Sequence, residues 1–139
     1  VSLQQMLTQL NHSDTATRVN QGQYYEEISS KLMAPMNSRI ALNHYDGADL
    51  VTTSADFSNS LATFRSQYKT YSNDLSRAMN TNCANKPQQF YDAVSAARSD
   101  RQALHTTVQS LNAMVTNYQN QFTTFAKTLP VSSNGADND

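Results

Sequence analysis

The chain has 139 residues and a mass of 15.4 kDa, which is enough for one domain that buries its own core without metals or several disulfides. Its formal net charge is −1 and its pI is about 6.3, so the charge gives no reason to expect nucleic acid or an anionic membrane as a partner. Roughly four residues in ten are Ser, Thr, Asn or Gln, whereas only 15% are charged.

This uncharged polar surface bears on where the protein works. Cytosolic helical proteins usually keep their helices soluble with Glu and Lys, because these residues combine good helix propensity with pairing between adjacent turns. The bias, together with a first residue that is Val rather than Met, predicts a processed, extracytoplasmic protein that is secreted or at the cell surface. A piece of a longer chain would also begin in this way. No apolar run approaches the ~20 residues of a membrane-spanning helix.

The number and positions of the Gly and Pro residues predict the architecture of the chain. Only three Gly and three Pro are present, which favours a few long helices over a β-sandwich or barrel. One break is the turn Asp46-Gly47, where Gly47 suits the position after a helix C-terminus, and the other is the Asn-rich stretch ending at Pro87. Short connections make neighbouring helices antiparallel. We therefore predict an all-α fold, an elongated antiparallel three-helix bundle with coiled-coil-like packing.

The domain boundaries follow from these breaks. The bundle is predicted over residues 1–129, with helices at about 2–43, 48–80 and 87–129. The polar stretch 130–139 is predicted to be a disordered tail because of its Ser, Asn, Asp and Gly content.

The first helix is the least regular of the three. Its apolar positions occur in two groups of different phase, which the segment HSDTAT at 12–17 separates: Leu3, Leu7 and Leu10, then Tyr25, Ile28, Leu32, Met36 and Ile40. Pro35 removes one backbone hydrogen bond, so the helix is predicted to bend there and to be the weakest partner of the bundle. Glu26 and Glu27 are adjacent and point to different faces, which indicates a solvated surface rather than an acid/base pair.

The first turn gathers His44, Asp46 and Asp49 within six residues. A metal-binding loop is one interpretation of this group. The simpler interpretation is that Asp46 belongs to the turn, and that Asp49 is an N-cap or first-turn acid of the second helix. We therefore predict no metal site.

The second and third helices each carry a seam, a row of residues spaced alternately by four and three positions. A sustained repeat of 3.5 residues predicts supercoiled packing in which these side chains form the core, so no cofactor site is implied. Phe64 and Leu111 are expected to be buried. The polar exceptions are Ser54 and Arg101, and the Arg101 head can reach an Asp or the rim and so fix the register. The seams comprise Leu50, Ser54, Phe57, Leu61, Phe64, Tyr68, Tyr71, Leu75 and Ala78, then Phe90, Val94, Ala97, Arg101, Leu104, Val108, Leu111, Val115, Tyr118, Phe122, Phe125 and Leu129.

The single cysteine, Cys83, lies in the second turn. It could be a small buried residue, a reactive thiol near Lys86, or one half of a disulfide. In an oxidising compartment a pairing partner is the simplest expectation, and that partner would have to lie outside this chain. Counting back from the first turn by the length of the second helix places His12 beside Cys83. A cysteine that precedes Val1 would then lie too far along the first helix to reach Cys83, so an intermolecular bridge stays open.

Two stretches resemble a group of uncharacterised secreted helical proteins of Saccharibacteria-type (candidate phyla radiation) bacteria. They are NQGQYYEEISSKL at 20–32 and NCANKPQQFYDAVSAARSDRQAL at 82–104. The matching positions are Gly22, Tyr25, Ile28, Lys31 and Leu32, then Cys83, Pro87, Phe90, Ala96, Ala97, Arg98, Arg101 and Leu104. The resemblance implies a secreted helical protein and no activity. Members commonly carry a second Cys before the first stretch, and this sequence lacks it.

Residues that could support catalysis are scarce. His12, His44 and His105 are predicted to lie far apart, and no HExxH, GxSxG, phosphate-binding loop or Cys-His spacing occurs. We therefore predict a non-enzymatic extracytoplasmic or cell-surface helical interaction or structural module, without catalytic residues, metal or cofactor. Its partner is expected to be another protein or a second copy, with the binding face left open. The alternative is a self-assembling subunit of an extracellular filament or surface layer, and a small-ligand or metal carrier comes third.

Overall fold

The structure is a computed structural model in which residues 2–129 are described; Val1 and residues 130–139, including the predicted disordered tail, lie outside the described residues. The described chain is helical and contains no strand, so the predicted all-α three-helix bundle is confirmed. Its elements are α1 (Leu3–Glu27), a π-helical segment (Ile28–Met33), α2 (Ala34–Asn43), α3 (Ala48–Asn80) and α4 (Pro87–Ala126). The first three run without interruption and together form the first helical arm.

Local sequence sets the helix ends. Ser2 and Gln5 form a capping box at the start of α1, in which each side chain accepts a hydrogen bond from the other residue's backbone N–H. The left-handed residue that ends α2 is His44, with φ 54°, not Gly47 as the sequence suggested. Gly47 instead directly precedes α3 and packs on Ile40, whose Cδ1 would lie 2.6 Å from an added Cβ. Gly47 is thus required for a close approach rather than for its backbone angles.

The two seams predicted for the second and third helices form the core between α3 and α4. Phe64 and Leu111 are buried as predicted, with exposed fractions of 2% and 0%. The main departures are Phe122 and Arg101, which are exposed, and Thr53 and Ala93, which are buried beside the seams. The 3.5-residue repeat therefore located most of this core correctly.

Cross-helix hydrogen bonds establish the antiparallel arrangement. Thr53 pairs with Gln121 near one end of the α3–α4 pair, and Gln67 accepts from Thr107 closer to the middle. Along the first arm, Asn37 donates to Ser54 near the start of α3. At the other end, Gln4 Nε2 lies 3.0 Å from the carbonyl oxygen of Thr81, just past the end of α3. The first arm therefore runs the full length of α3.

The π-helical segment changes the face that the first arm buries. Its wider turn accommodates one additional residue, and Ala34 N–H bonds to the Ser29 carbonyl at its end. Leu32, predicted for the core from regular spacing, is 49% exposed, whereas Met33 is 1% exposed. The prediction for Leu32 was wrong because the inserted residue moves the apolar row by one position. Pro35, the second residue of α2, directly follows this change in hydrogen bonding, and the bend expected there stays a prediction.

We expect Leu111→Ala to lower the free energy of unfolding by about 2 to 5 kcal/mol, because the site is fully buried and surrounded by the core of both long helices. Phe64→Ala should cost about 3 to 5 kcal/mol for the same reason. Denaturant titration followed by far-UV circular dichroism measures both. Thr116→Ala, on the exposed side of α4, is the matched control and should change stability by less than about 0.5 kcal/mol. Equal effects at residues 111 and 116 would contradict the assigned burial.

Candidate functional site

The most unusual side chain of the first arm is Asp14, which lies within the HSDTAT segment. α1 continues through this segment, and Asp14 is only 7% exposed. The Tyr71 hydroxyl of α3 donates to Asp14 Oδ2 at 2.5 Å. Arg101 of α4 donates from Nε to the same oxygen at 2.9 Å and from Nη2 to Oδ1 at 3.3 Å. One carboxylate thus joins all three helical arms, and of the two positions expected for the Arg101 head, an Asp or the rim, the structure shows the Asp.

Tyr71 and Arg101 do not change their protonation state near neutral pH. Burial, followed by the hydrogen bond to Asp14, raises the pKa of Tyr71 far above its ordinary value. The hydrogen bond to Asp14 likewise raises the pKa of Arg101, against an opposing effect of burial. Tyr71 therefore keeps its proton and Arg101 its charge throughout the physiological range. The geometry favours a structural and positioning role for the network over proton transfer.

A groove opens beside this network, between the N-terminal half of α1 and the facing side of α4. It encloses about 410 Å³, and most of its lining is apolar. The residues that line it are Leu3, Met6, Leu7, Leu10, Tyr71, Leu75, Val94, Ala97, Arg98 and Arg101. We call this space the α1–α4 groove. Leu3 and Met6, on its α1 wall, are 53% and 54% exposed.

A smaller polar cavity of about 260 Å³ lies beside the α1–α4 groove. The two spaces share Arg98 and Arg101, and the second adds Arg18, Gln102 and His105. Among residues 2–129, no acidic side chain lines either space, although Asp14 accepts a hydrogen bond from Arg101. Arg98 makes no ion pair with any described residue. The groove therefore has an apolar half and a cationic end.

Other residues considered from the sequence do not converge. Asp46 and Asp49 line an open cavity of about 490 Å³ at the opposite end of the bundle, and His44 is not part of its lining. Within residues 2–129, no group of three or more His, Cys, Asp or Glu side chains is placed to hold a metal ion. Glu26 pairs with Arg65 and Glu27 with Lys31, in two separate exposed ion pairs.

Cys83 is exposed in the turn between α3 and α4, which excludes the interpretation as a small buried residue. The Asn82 side chain caps this turn by accepting from the backbone N–H groups of Ala84 and Asn85 at 2.9 and 3.1 Å. The predicted neighbour was His12, but the contact between Gln4 and Thr81 places the start of α1 at this end. The additional residue in the π-helical segment accounts for only one position of this difference. A disulfide to a cysteine outside the chain stays a prediction.

A second polar feature lies between α3 and α4, where Asp100 approaches Asp74. Burial, followed by a hydrogen bond to Asp74 and the charge of that group, raises the pKa of Asp100 from 3.8 to about 6. Two carboxyls can hydrogen-bond only when one carries a proton; with both ionised, the buried Asp100 Oδ2 has no partner. Arg77 pairs with Asp74 at 3.0 Å and partly offsets the repulsion.

Sequence reasoning missed Asp14, Arg18 and Arg98 as site residues. A signal for the first two was present, because the spacing by three and four positions continues through polar residues. The half-buried or buried members of this row are Leu7, Leu10, Asp14, Arg18, Gln21, Tyr25 and Ile28. The segment that looked like an interruption is therefore a polar part of the same helix face. Nothing in the sequence pointed to Arg98 beyond its place in the resemblance.

Comparison of the chain with protein-family models, curated proteins and solved structures gave no significant match. No helix within residues 2–129 is both long and apolar enough to cross a membrane.

We expect Asp14→Asn to destabilise the protein by about 1 to 3 kcal/mol, because it removes the charge that two donors share. Asp56→Asn, at an exposed site of α3, is the control and should be close to neutral. Chemical denaturation measures both. In a double-mutant cycle the cost of Asp14→Asn should fall in an Arg101→Gln background. Strict additivity would show that the two side chains do not stabilise each other.

Asp100→Asn should stabilise the protein at pH 7 by on the order of 1 kcal/mol, since solvent near the helix surface screens part of the repulsion. The folded-state pKa of Asp100 is raised, so proton binding by Asp100 favours the folded state. This contribution to stability is complete below pH 3.8 and is lost as the pH rises through about 6. The advantage of the variant should therefore be absent near pH 4 and grow towards pH 7. Thermal unfolding over this pH range provides the test. A pH-independent difference would contradict the shared proton between Asp74 and Asp100.

Proposed function

We propose that this protein is a non-enzymatic, extracytoplasmic helical module that binds a partner protein through the α1–α4 groove. The observation that carries the proposal is the groove itself, where apolar side chains of α1 such as Leu3 and Met6 stay exposed without a covering partner among residues 2–129. Contiguous exposed apolar surface with a polar rim is typical of interaction sites. The cationic end supplies such a rim on one side.

The non-enzymatic part of the proposal is supported by the nature of the polar groups. In the Asp14 network both carboxylate oxygens already accept hydrogen bonds, and Tyr71 and Arg101 keep their protons, so the network offers no activated nucleophile. The groove beside it contains cations and apolar side chains. This combination of side chains suits the binding of a partner surface and not the catalysis of a reaction.

The proposed location, secreted or at the cell surface, rests on composition and resemblance. Charged residues make up only 15% of the chain, and the uncharged polar residues are used both at the surface and between helices. The resemblance to secreted helical proteins points the same way. In such a compartment the exposed thiol of Cys83 would be free to pair with a cysteine of another molecule, which would tie that end of the bundle to its surroundings.

Site-specific photo-cross-linking in the cells that produce the protein tests the proposal. A photoreactive amino acid at Met6, on the groove wall, should give one discrete adduct with a different protein. The same residue at Thr63, on an exposed face of α3, should give none. Arg98→Gln in the Met6-labelled protein should reduce the adduct if the cationic end takes part.

The alternatives have different signatures in this experiment. An adduct between two copies of the chain would support the self-assembling subunit instead. Equal labelling from Met6 and Thr63, or labelling from neither, would contradict the groove as the binding site.

A further inference from the structure

We infer that the α1–α4 groove receives an acidic amphipathic helix of about 15 residues from its partner. This inference rests on the proposed function and specifies the chemistry of the partner. Its support comes from the shape of the groove, its length, its exposed apolar α1 wall and the distribution of charge along it.

The shape matches a helix because both walls are themselves helices. The α1 wall is formed by Leu3, Met6, Leu7 and Leu10, and the α4 wall by Val94, Ala97, Arg98 and Arg101. Both sets follow the three- and four-residue spacing of a helix face, which creates ridges and grooves for a third helix to pack into. Tyr71 and Leu75 of α3 form the floor. A helix in this position would complete a four-helix arrangement at this end of the bundle.

The exposure of the α1 wall also favours a helix over a small molecule. Small-ligand sites usually bury most of the ligand, whereas Leu3 and Met6 each expose more than half of their surface, at 53% and 54%. An apolar stripe with positions at i, i+3, i+4 and i+7 can cover both walls at once, as in other helix-in-groove complexes. Covering these side chains supplies the apolar part of the binding energy.

The length of the partner helix follows from the residues at the two ends. Leu3 lies at one end of the apolar half and Arg18 lines the cationic cavity, so α1 rises about 22 Å between them at ~1.5 Å per residue. A partner helix that spans both parts needs about 15 residues.

Charge complementarity decides the character of the partner. Arg18, Arg98, Arg101 and His105 surround the polar end, and Asp14 is the one carboxylate that contacts them there among the described residues. Asp14 accepts hydrogen bonds from Tyr71 and Arg101 and forms its ion pair with Arg101. The positive charges of Arg98 and Arg18 therefore have no carboxylate partner among the described residues. Glu or Asp side chains at one end of the partner helix would supply the missing charge.

The same charge argues against a second copy of this chain as the occupant. A symmetric contact between two α1–α4 grooves would bring each cationic end towards the other copy's groove without adding a carboxylate. Such a contact would cover the apolar walls but leave the Arg side chains unpaired.

Fluorescence anisotropy with synthetic peptides tests the inference. The probe is a labelled helical peptide of about 15 residues with one Leu stripe at helix spacing and Glu at one end. Its matched counterpart has the same stripe with Lys in place of Glu. We expect saturable binding of the Glu peptide, at least tenfold tighter than that of the Lys peptide, and weaker at high salt.

Protein variants locate the site of peptide binding. Leu3→Gln with Met6→Gln should weaken binding of the Glu peptide about tenfold, because apolar contact is lost from the groove wall. Val19→Gln with Leu42→Gln, two exposed apolar residues outside the groove, is the matched control and should have no effect. Arg98→Gln should weaken binding about fivefold, whereas Arg39→Gln, an exposed arginine of α2, should not.

Four outcomes would overturn the inference. The first two are equal affinity for the Glu and Lys peptides and binding that the groove variants leave unchanged. The third is release of the Glu peptide as the protein concentration rises, which would show that a second copy of the chain takes the groove. The fourth is no peptide binding at all. If peptide binding is absent but the Met6 cross-link to a partner persists, the partner is not an acidic helix and the proposed function survives. Loss of both results would remove the proposed function as well.

Discussion

The structure depends on the continuous apolar contact between α3 and α4. These are the two longest helices, with 33 and 40 residues, and their seams bury large side chains such as Phe57, Leu75, Leu104 and Leu111 along most of their length. This contact fixes the antiparallel register and provides the surface on which the first arm lies. Because the α3–α4 pair supplies most of the core, α1 can use polar residues for attachment. That freedom is what allows a groove to remain beside α1.

The attachment of the first arm explains the unusual composition in physical terms. Besides Tyr25 and Met33, its contacts include Asn37 to Ser54, Tyr25 to Asn112 and the Asp14 network. Directional polar pairs fix register more narrowly than apolar contact does, since a shift by one turn leaves buried groups unpaired. Uncharged pairs also change little with salt, because screening acts on charges. The Asn, Gln, Ser and Thr residues thus contribute to internal specificity as well as to solubility.

Sequence periodicity could predict the parts of the structure that one helix encodes by itself. The boundaries of α3 were predicted as 48–80, and the burial of Phe64 and Leu111 followed from a local repeat. It could not predict the exchange of Leu32 for Met33, because regular spacing does not show where a helix takes up an additional residue. Nor could it predict Asp14 as a buried residue, since its partners lie 57 and 87 positions away. The groove depends on this long-range pairing, so it too was invisible in the sequence.

Arg101 links the core to the groove. It occupies a seam position of α4, yet its side chain is 51% exposed, because it extends to Asp14 instead of packing into the core. The distance between packed helices depends on the side chains at the contact, and beside the groove α1 and α4 are joined by the long Arg101 side chain. Ala97, one turn earlier, lines the groove with a small side chain. The ion pair that fastens α1 to the bundle thus places the Arg101 charge where the apolar groove and the polar cavity share their lining.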